Sequence, residues 1–299
     1  MIMNNSKIYR VADLPFMVSS EGDSFLPDSL LNMKPFVSAL KEGETPLFTL
    51  ELTYGPLPAP RGELLYRTDD GPLFPEISLY RNADASIASR TCPLPGRPEA
   101  MELTMSPDFT RARLILPGKD DSFAFNNSLM LLFTFASARM GALEMHSSVV
   151  VNEGKGYLFL GKSGTGKSTH SSLWLKHIPG TWLLNDDNPV LRLMPGGDVR
   201  VFGSPWSGKT PCYKALSAPA GAVVRLSQAP YNKIHKLSVV ESLSSLHPSC
   251  PPALAQDDRY QDYMLDMLSD VLSTVPVFHL ECLPDEAAAW TSHDAIFKS

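Results

Sequence analysis

The sequence contains few cysteines and no long hydrophobic run. Its 299 residues include four cysteines, and no two of them form the C-x-x-C pair that is typical of zinc sites and redox centres. No stretch approaches the roughly 18 consecutive apolar residues of a membrane-spanning helix. The first residues lack the basic segment and following apolar segment of a secretory signal. These absences predict a cytoplasmic protein with reduced thiols and no membrane partner.

The sequence also lacks an excess of positive charge. Lysine and arginine total 26 against 32 aspartate and glutamate residues, which gives a formal net charge of −6. Nucleic-acid-binding surfaces need clustered lysine and arginine, so nucleic acid is not expected as the main partner. Hydrophobic residues make up 43% of the chain and charged residues 19%, which is typical of a globular protein with one large domain or two smaller ones.

The strongest motif is a glycine-rich loop at residues 161–168, with the sequence GKSGTGKS. It matches the phosphate-binding pattern G-x-x-x-x-G-K-[ST] at every fixed position. An apolar run at 156–160 predicts a strand before the loop, and residues 169–177 predict a helix after it. Backbone amides then surround the phosphates, Lys167 reaches the β- and γ-phosphate oxygens, and the Ser168 hydroxyl binds Mg²⁺. The predicted nucleotide-binding residues are Gly161, Ser163, Gly164, Thr165, Gly166, Lys167, Ser168 and Thr169.

Two acidic residues, Asp186 and Asp187, follow the loop at a short distance. Asp186 lies 19 positions after Lys167, which leaves room for one short helix and one returning strand. That path would bring the acidic pair to the C-terminal edge of the sheet beside the loop. Phosphoryl transfer needs carboxylates to hold the metal ion and to accept the proton of the attacking hydroxyl. The pattern therefore predicts a phosphotransferase site that uses ATP and Mg²⁺.

The pattern of turns and apolar residues divides the chain into two regions. Residues 1–121 read as short strands between proline- and glycine-containing turns, and they predict a β-rich accessory domain with an antiparallel sheet. Residues 122–299 predict the P-loop kinase-like domain, which begins with a connecting helix at 122–141 whose apolar residues share one face. The expected fold class is α/β, with mixed α+β character. In it, a P-loop nucleotide-binding core carries a β-rich N-terminal accessory region.

Further elements of the second region follow from the spacing of apolar residues. The β-branched run at 145–151 is expected to pair with the strand that enters the glycine-rich loop. Residues 189–193 and 199–202 read as a hairpin, and residues 247–252 as a proline-broken loop. The remaining predicted elements are strands at 182–187, 222–226 and 276–282, an amphipathic helix at 260–275 and a closing helix at 285–290.

The order of these features resembles the catalytic domain of the HPr kinase/phosphorylase family. That family has a His-Gly strand, a G-x-S-G-x-G-K-S loop and an Ala-Asp-Asp strand end. This chain has His146, the loop at 161–168 and the acidic pair at 186–187 in the same order. The likeness covers roughly residues 145–210. It implies the nucleotide-binding core that this family shares with the phosphoenolpyruvate carboxykinases.

The resemblance also implies a role for each matching side chain. By carry-over, Lys167 neutralises the β- and γ-phosphates, and Ser168 and Asp187 hold Mg²⁺. Asp186 is then the general base, and His146 lies near the γ-phosphate. For His146, a purely structural role as a hydrogen-bonded strand histidine remains an equal alternative.

Two features depart from the HPr kinases. Those enzymes carry an acidic residue in a Glu-Ile-Arg-Gly segment, whereas residues 199–203 contain no carboxylate. This difference disfavours HPr as the substrate and disfavours the reverse phosphorylase reaction. The loop at 204–209 instead resembles the Pro-Trp-x-Gly loop of HPr-kinase-like proteins that are associated with peptide modification. The residues of this loop that are expected to contact substrate or phosphate are Ser204, Trp206, Gly208 and Lys209, with an ordinary surface lysine as the alternative for the last.

Together these features predict an ATP- and Mg²⁺-dependent kinase whose acceptor is a hydroxyl group, most simply a serine of a protein or peptide. A small-molecule kinase stays open, because acceptor recognition lies outside the motif. A phosphoenolpyruvate carboxykinase-like enzyme is disfavoured by the chain length and by the lack of a recognisable substrate-clamping arginine set. A non-catalytic ATP-binding regulator is disfavoured because both acids are present. The family resemblance implies a homo-oligomer, although no interface can be recognised in the sequence.

Overall fold

The computed structural model describes residues 4–21, 26–59, 62–68, 75–92, 101–117, 121–208, 210–253 and 258–298. The chain divides into two compact units, Met1–Ser137 and Ala138–Ser299. Each unit contains one large mixed β-sheet, which confirms the expected mixed α/β class. The more specific P-loop class stays a prediction. Within the described part of the chain, no helix combines the length and apolarity needed to cross a membrane.

The first unit is a single sheet of short strands. Its described strands are β1 (Asn4–Val11), β2 (Leu14–Glu21), β3 (Val37–Ser38), β4 (Thr49–Tyr54), β5 (Glu63–Arg67), β6 (Glu76–Arg81), β7 (Ile87–Cys92), β8 (Met101–Met105) and β9 (Arg111–Leu116). In space they follow the order β3-β1-β2-β4-β9-β8-β7-β6-β5.

The expectation of an antiparallel sheet in this unit is wrong at its centre. Strands β2, β4 and β9 pair in parallel, whereas the strands on either side pair antiparallel. A parallel pair needs a crossover connection instead of a tight turn. The chain between β2 and β4 supplies one, with short 3-10 helices at Leu26–Ser29 and Lys34–Phe36.

Helix α1 (Ser122–Ala138) packs within the first unit. The ring of Phe133 meets Phe16 of β2 with centroids 6.1 Å apart, and Phe135 stacks on Phe109 at 4.9 Å. The predicted apolar stripe of this helix is buried as far as residue 136. The sequence assigned this helix to the second region, but these contacts are all with the first unit. For that reason the division between the units falls after Ser137 instead of before the helix.

The second unit carries the glycine-rich loop. Its described strands are β10 (Ala142–Glu144), β11 (Ser147–Asn152), β12 (Lys155–Leu160), β13 (Trp182–Asp187), β14 (Val190–Leu193), β15 (Val199–Phe202), β16 (Ser217–Gln228), β17 (Lys233–Lys236) and β18 (Val277–Cys282). Its helices are α2 (Lys167–His177), α3 (Val239–Leu246), a 3-10 helix (His247–Ser249), α4 (Asp258–Thr274) and α5 (Glu286–Phe297).

Most elements predicted for this unit are present. Strand β11 pairs antiparallel with β12, as the β-branched run predicted, and β14 and β15 form the predicted hairpin. The closing helix α5 is longer than expected, and the Asp285 side chain caps it by accepting a hydrogen bond from the Ala288 amide. The sequence did not predict β10, β17 or α3. These are short elements that leave little periodicity to detect.

The strand order brings the loop and the acidic pair to one edge of the sheet. Strand β11 lies between β12 and β13 and is antiparallel to both, so β12 and β13 are parallel to each other. Strands β16 and β18 continue the parallel set on the other side of β12. Since the C-terminal ends of parallel strands share an edge, residues 161–168 and 186–187 lie at the same edge.

Trp174 anchors α2, the helix that begins at the glycine-rich loop. This side chain is fully buried and packs on Tyr157 and Phe159 of β12, with ring centroids 5.3 and 5.6 Å away. Its Nε1 donates a hydrogen bond to Ser292 Oγ of α5 at 2.9 Å. Trp174 therefore holds α2 against both the sheet and α5.

We expect Trp174→Ala to lower the free energy of unfolding of the second unit by about 3–5 kcal/mol, because it leaves a large cavity in the core. Denaturant unfolding followed by circular dichroism measures this loss. The matched control is Trp290→Ala, because Trp290 is 39% exposed and its removal should cost much less. Equal losses in the two variants would contradict the anchoring role of Trp174.

Candidate active site

The glycine-rich loop leads directly from β12 into α2. Gly164 and Gly166 have φ angles of 79° and 111°, in the left-handed region that residues with a Cβ rarely adopt. The Thr165 amide donates to the Lys162 carbonyl at 3.1 Å and closes the turn. The first amides of a helix have no intrahelical acceptor, and the helix dipole favours an anion there. This loop can therefore hold a phosphate group. The predicted Ser163 lies in it as an exposed residue.

Lys167 opens α2 and is buried beside the loop, with 9% of its surface exposed. Its Nζ donates to the Gly161 carbonyl at 3.0 Å and lies 3.1 Å from His146 Nε2. Burial lowers the pKa of Lys167, and the charges of Asp187 and Asp186 partly oppose that shift. A desolvated ammonium at the edge of the loop is well suited to bind phosphate oxygens.

The two acids have different neighbours. Ser168 Oγ donates to Asp186 Oδ1 at 3.0 Å, so Asp186 faces the start of α2. Asp187 has a different neighbour: its Oδ1 is 3.4 Å from His146 Nε2, a nitrogen that also lies 3.1 Å from Lys167 Nζ. Alternation of side chains along β13 explains this difference. The structure thus brings Lys167 and both acids together. Ser168 contacts Asp186, and His146 contacts Asp187.

The chain around Asp187 is strained and closely packed. Asp187 has a φ angle of 127°, which is unusual for a non-glycine residue and is often found at functional sites. The Gly208 amide donates to the Asp186 carbonyl at 2.7 Å, and Ser207 forms an isolated bridge with Asp187. A Cβ on Gly208 would lie 3.2 Å from the Asp187 Cβ. Glycine at 208 therefore allows this loop to approach the acidic pair.

Ser204 and Trp206 of the predicted 204–209 loop lie inside the protein. Ser204 Oγ donates to the Asn188 carbonyl at 2.6 Å and accepts from the Trp206 amide at 3.1 Å. Trp206 is itself buried. Asn185, which the sequence reasoning missed, is fully buried and donates to Ser204 Oγ at 3.2 Å. These contacts fix the loop beside the acids, and Lys209 lies outside the described residues.

A groove of about 570 Å³ lies beside the glycine-rich loop, a size typical of small-molecule sites. Gln228 Nε2, at the end of β16, donates to the Gly164 carbonyl at 3.3 Å and joins the groove to the loop. The predicted residues Thr165 and Thr169 line it. Its apolar lining comes mainly from Leu173, Leu226, Ala229, Pro230, Leu283 and Pro284. An apolar groove next to a phosphate loop can accommodate the base and ribose of a nucleotide.

His170 lines the same groove and was missed by the sequence reasoning. It is 2% exposed, its Nε2 is 3.0 Å from Ser292 Oγ, and its ring meets Phe159 edge-on at 4.6 Å. Burial lowers the pKa of His170 to about 4, so the ring is neutral at pH 7. The sequence could have indicated this position, because His170 follows Lys167 by three residues on a helix that begins at the loop, and residues three apart lie on the same side of a helix.

Acidification is expected to destabilise the second unit through His170. Its folded pKa of about 4 lies below the unfolded value near 6.5, so the unfolded state binds more protons between these values and stability falls as pH falls. We expect this group to contribute a loss of about 2 kcal/mol between pH 7 and pH 5. Urea unfolding at both pH values measures the total loss. The loss should shrink in His170→Gln and should be unchanged in a variant of the exposed His235.

The site also offers oxygen ligands for a divalent cation. No group of three or more His, Cys, Asp and Glu side chains is arranged to hold a metal ion in the parts of the chain that the structure describes. Mg²⁺ at phosphate sites needs no such group, because one or two carboxylates act together with substrate phosphates and water. Ser168 and Asp186, which already touch at 3.0 Å, fit that ligand set.

Comparison with known proteins gives structural likeness of low similarity. No protein-family model matches the sequence, and no curated protein matches it. Among solved structures, the chain is similar to the Hpr(Ser) kinase/phosphatase from Coxiella burnetii, with a TM-score of 0.31 and 11% identity. The match covers 52% of this chain and 99% of that chain. The geometry of the site, and not this likeness, supports the function proposed below.

Proposed function

We propose that this chain is a kinase that transfers the γ-phosphoryl group of ATP to a hydroxyl group, most simply a serine of a protein or peptide. One observation carries the proposal. Lys167, Ser168, Asp186, Asp187 and His146 come together around a glycine-rich loop, although they come from three separate stretches of sequence. A binding module needs the loop and the lysine, whereas the pair of acids fits the metal and proton chemistry of transfer.

The loop and the groove would bind different parts of the nucleotide. The phosphates would lie against the loop amides, with Lys167 on the β- and γ-phosphate oxygens, and the base and ribose would occupy the apolar groove. The direct contact between the loop and Gln228 of β16 supports this arrangement, because it makes the two sites continuous. A nucleoside triphosphate has this combination of an apolar ring system and a chain of anions.

The contacts of the two acids support an exchange of the roles that the family resemblance implied. Ser168 touches Asp186, so these two residues would hold Mg²⁺, which neutralises the developing charge on the phosphates. Asp187 lies next to His146 and would accept the proton of the hydroxyl. His146, within reach of both Lys167 and Asp187, would position the transferred group.

The transfer step can then be written with these residues. The acceptor oxygen forms a bond to the γ-phosphorus, and the bond between that phosphorus and the β–γ bridging oxygen breaks. The hydroxyl proton passes to the Asp187 carboxylate, and ADP leaves with its new charge stabilised by Lys167. Most of the rate enhancement would come from positioning and charge neutralisation.

Transfer from γ-labelled ATP into an extract of the source cells tests this function. Protein and small-molecule fractions are separated, and the wild type is compared with Asp187→Asn. Label in a protein or peptide that disappears in the variant is the expected result. Label in a metabolite would move the acceptor to a small molecule, and ATP binding without transfer to any fraction would overturn the kinase proposal.

A further inference from the structure

A row of side chains crosses the sheet from the acidic pair to its opposite end. Strand register places each member directly beside the next. In order across the strands, the row is Asp187, Ser147, Leu160, Arg225, His279 and His235. It starts at the candidate active site. Its members Ser147 and Leu160 are fully buried, whereas Arg225, His279 and His235 are at least partly exposed.

The polar half of this row lies on the face of the sheet that Asp187 shares. Val224, Leu226, Phe278 and Leu280 pack in the core under α2 and α5. Because side chains alternate along a strand, their neighbours on β16 and β18 point to the opposite face. These neighbours are Arg225, Ser227, His279 and Glu281, and each is partly exposed.

Arg225 carries a positive charge at every physiological pH. Its strand, β16, lies nearer to the candidate active site than β17, which carries Lys233. His279 accepts or donates one hydrogen bond with Ser227 at 2.8 Å, and burial and then the charge of His235 lower the pKa of His279. Glu281, an acid on the same face, accepts a hydrogen bond from Tyr231 at 3.1 Å. An arginine in such a position is suited to a carboxylate, which it can bind with two parallel hydrogen bonds.

Arg225 is also close to the glycine-rich loop in space, because β16 pairs with β12. It lies beside Leu160, and the next residue, Gly161, begins the loop and holds Lys167 through its carbonyl at 3.0 Å. Three residues after Arg225, Gln228 contacts the loop directly. A group bound at Arg225 would therefore lie one strand away from the phosphates.

We propose that Arg225 binds an acidic side chain of the acceptor polypeptide, so that the preferred substrate is a serine in an acidic sequence. This inference rests on the kinase function proposed above and specifies its substrate class. Lys233, which pairs with Glu281 across β17 and β18, adds a second positive charge on the same face.

The row also sets the expected distance between the serine and the acidic residue. Three strand spacings of about 4.8 Å separate Asp187 from Arg225, which is about 14 Å, and an extended peptide advances about 3.4 Å per residue. Because Ser147 and Leu160 between them are fully buried, a peptide cannot lie directly on the row, and the acidic residue should lie at least about four residues from the acceptor serine.

The test compares two serine peptides, one with aspartate four residues on either side of the serine and one with asparagine there. With the wild type, the KM of the acidic peptide should be about tenfold lower, with kcat similar. Arg225→Gln should remove this difference, and Arg225→Lys should keep part of it because the charge remains without the paired donors. Lys176→Gln removes the same charge from an exposed position on α2 and should change nothing.

A binding measurement separates this inference from the kinase proposal. Fluorescence anisotropy of both peptides is recorded with a non-hydrolysable ATP analogue present. Acidic-peptide binding that depends on Arg225, without any phosphorylation, would support the surface and overturn the kinase function. Equal KM values for both peptides, an unchanged preference in Arg225→Gln, or no preferential binding of the acidic peptide would overturn the surface. Thermal unfolding of each variant checks that the fold is intact.

Discussion

Replacing Lys167 with alanine is expected to reduce the rate of phosphoryl transfer by about a hundred- to a thousandfold. The ammonium is buried and touches both the Gly161 carbonyl and His146, so its removal takes away the positive charge held at the edge of the loop. Burial lowers the pKa of Lys167, which means that water stabilises its charge poorly. Developing negative charge on the phosphates is therefore a strong partner. Single-turnover transfer from γ-labelled ATP measures the loss.

The same loop provides a matched control for this variant. Lys162 is exposed and occupies a variable position of the phosphate-binding pattern, so Lys162→Ala should retain transfer within about threefold. ATP binding should weaken in Lys167→Ala and remain in Lys162→Ala. A Lys167→Ala protein that transfers phosphate at the wild-type rate would show that the loop does not serve the proposed reaction.

Replacing either acid with asparagine is expected to reduce transfer strongly, but for different reasons. Asp187→Asn removes the proton acceptor, a contribution of about 10²–10⁴ in rate, and should leave ATP binding and its Mg²⁺ dependence close to those of the wild type. Asp186→Asn removes the acid that Ser168 contacts. It should raise the Mg²⁺ concentration needed for half-maximal transfer, because one of the few protein oxygens around the ion is lost.

The Mg²⁺ titration decides between the two assignments of these acids. A shifted Mg²⁺ requirement in Asp187→Asn with no shift in Asp186→Asn would restore the assignment that the family resemblance implied. Asp198, exposed in the turn between β14 and β15, provides the control variant Asp198→Asn, which should behave like the wild type. Full activity in both acid variants would overturn the proposed chemistry altogether.

Short stretches of sequence were enough to predict the strands, the glycine-rich loop and the helix that form the candidate active site. The glycine spacing at 161–168 and the apolar run before it follow directly from backbone geometry, because glycine tolerates the φ angles of Gly164 and Gly166 and the run supplies a strand. The short interval to Asp186 limited the intervening chain to one helix and one strand. Both features are encoded within about 30 neighbouring residues, where the chain has few alternatives.

Contacts between distant segments were not predictable in the same way. The parallel pairing of β2, β4 and β9 and the packing of Phe133 on Phe16 depend on which apolar faces meet in the folded chain. Periodicity identifies an apolar face, but it does not specify the surface that covers it. That is why the periodicity of α1 did not indicate that the compact units divide after Ser137.

The sequence by itself determined that this protein has a glycine-rich loop with the phosphate-binding pattern, followed by an acidic pair, since each depends on a short run of residues with restricted backbone choices. Only the tertiary structure decided the neighbours of those groups. It paired Ser168 with Asp186, set His146 between Lys167 and Asp187, buried His170 in the groove and placed Arg225 in the row that begins at Asp187. The physical reason is strand order, because side chains from β11, β13, β16 and β18 become neighbours only when separate strands pair at a particular register.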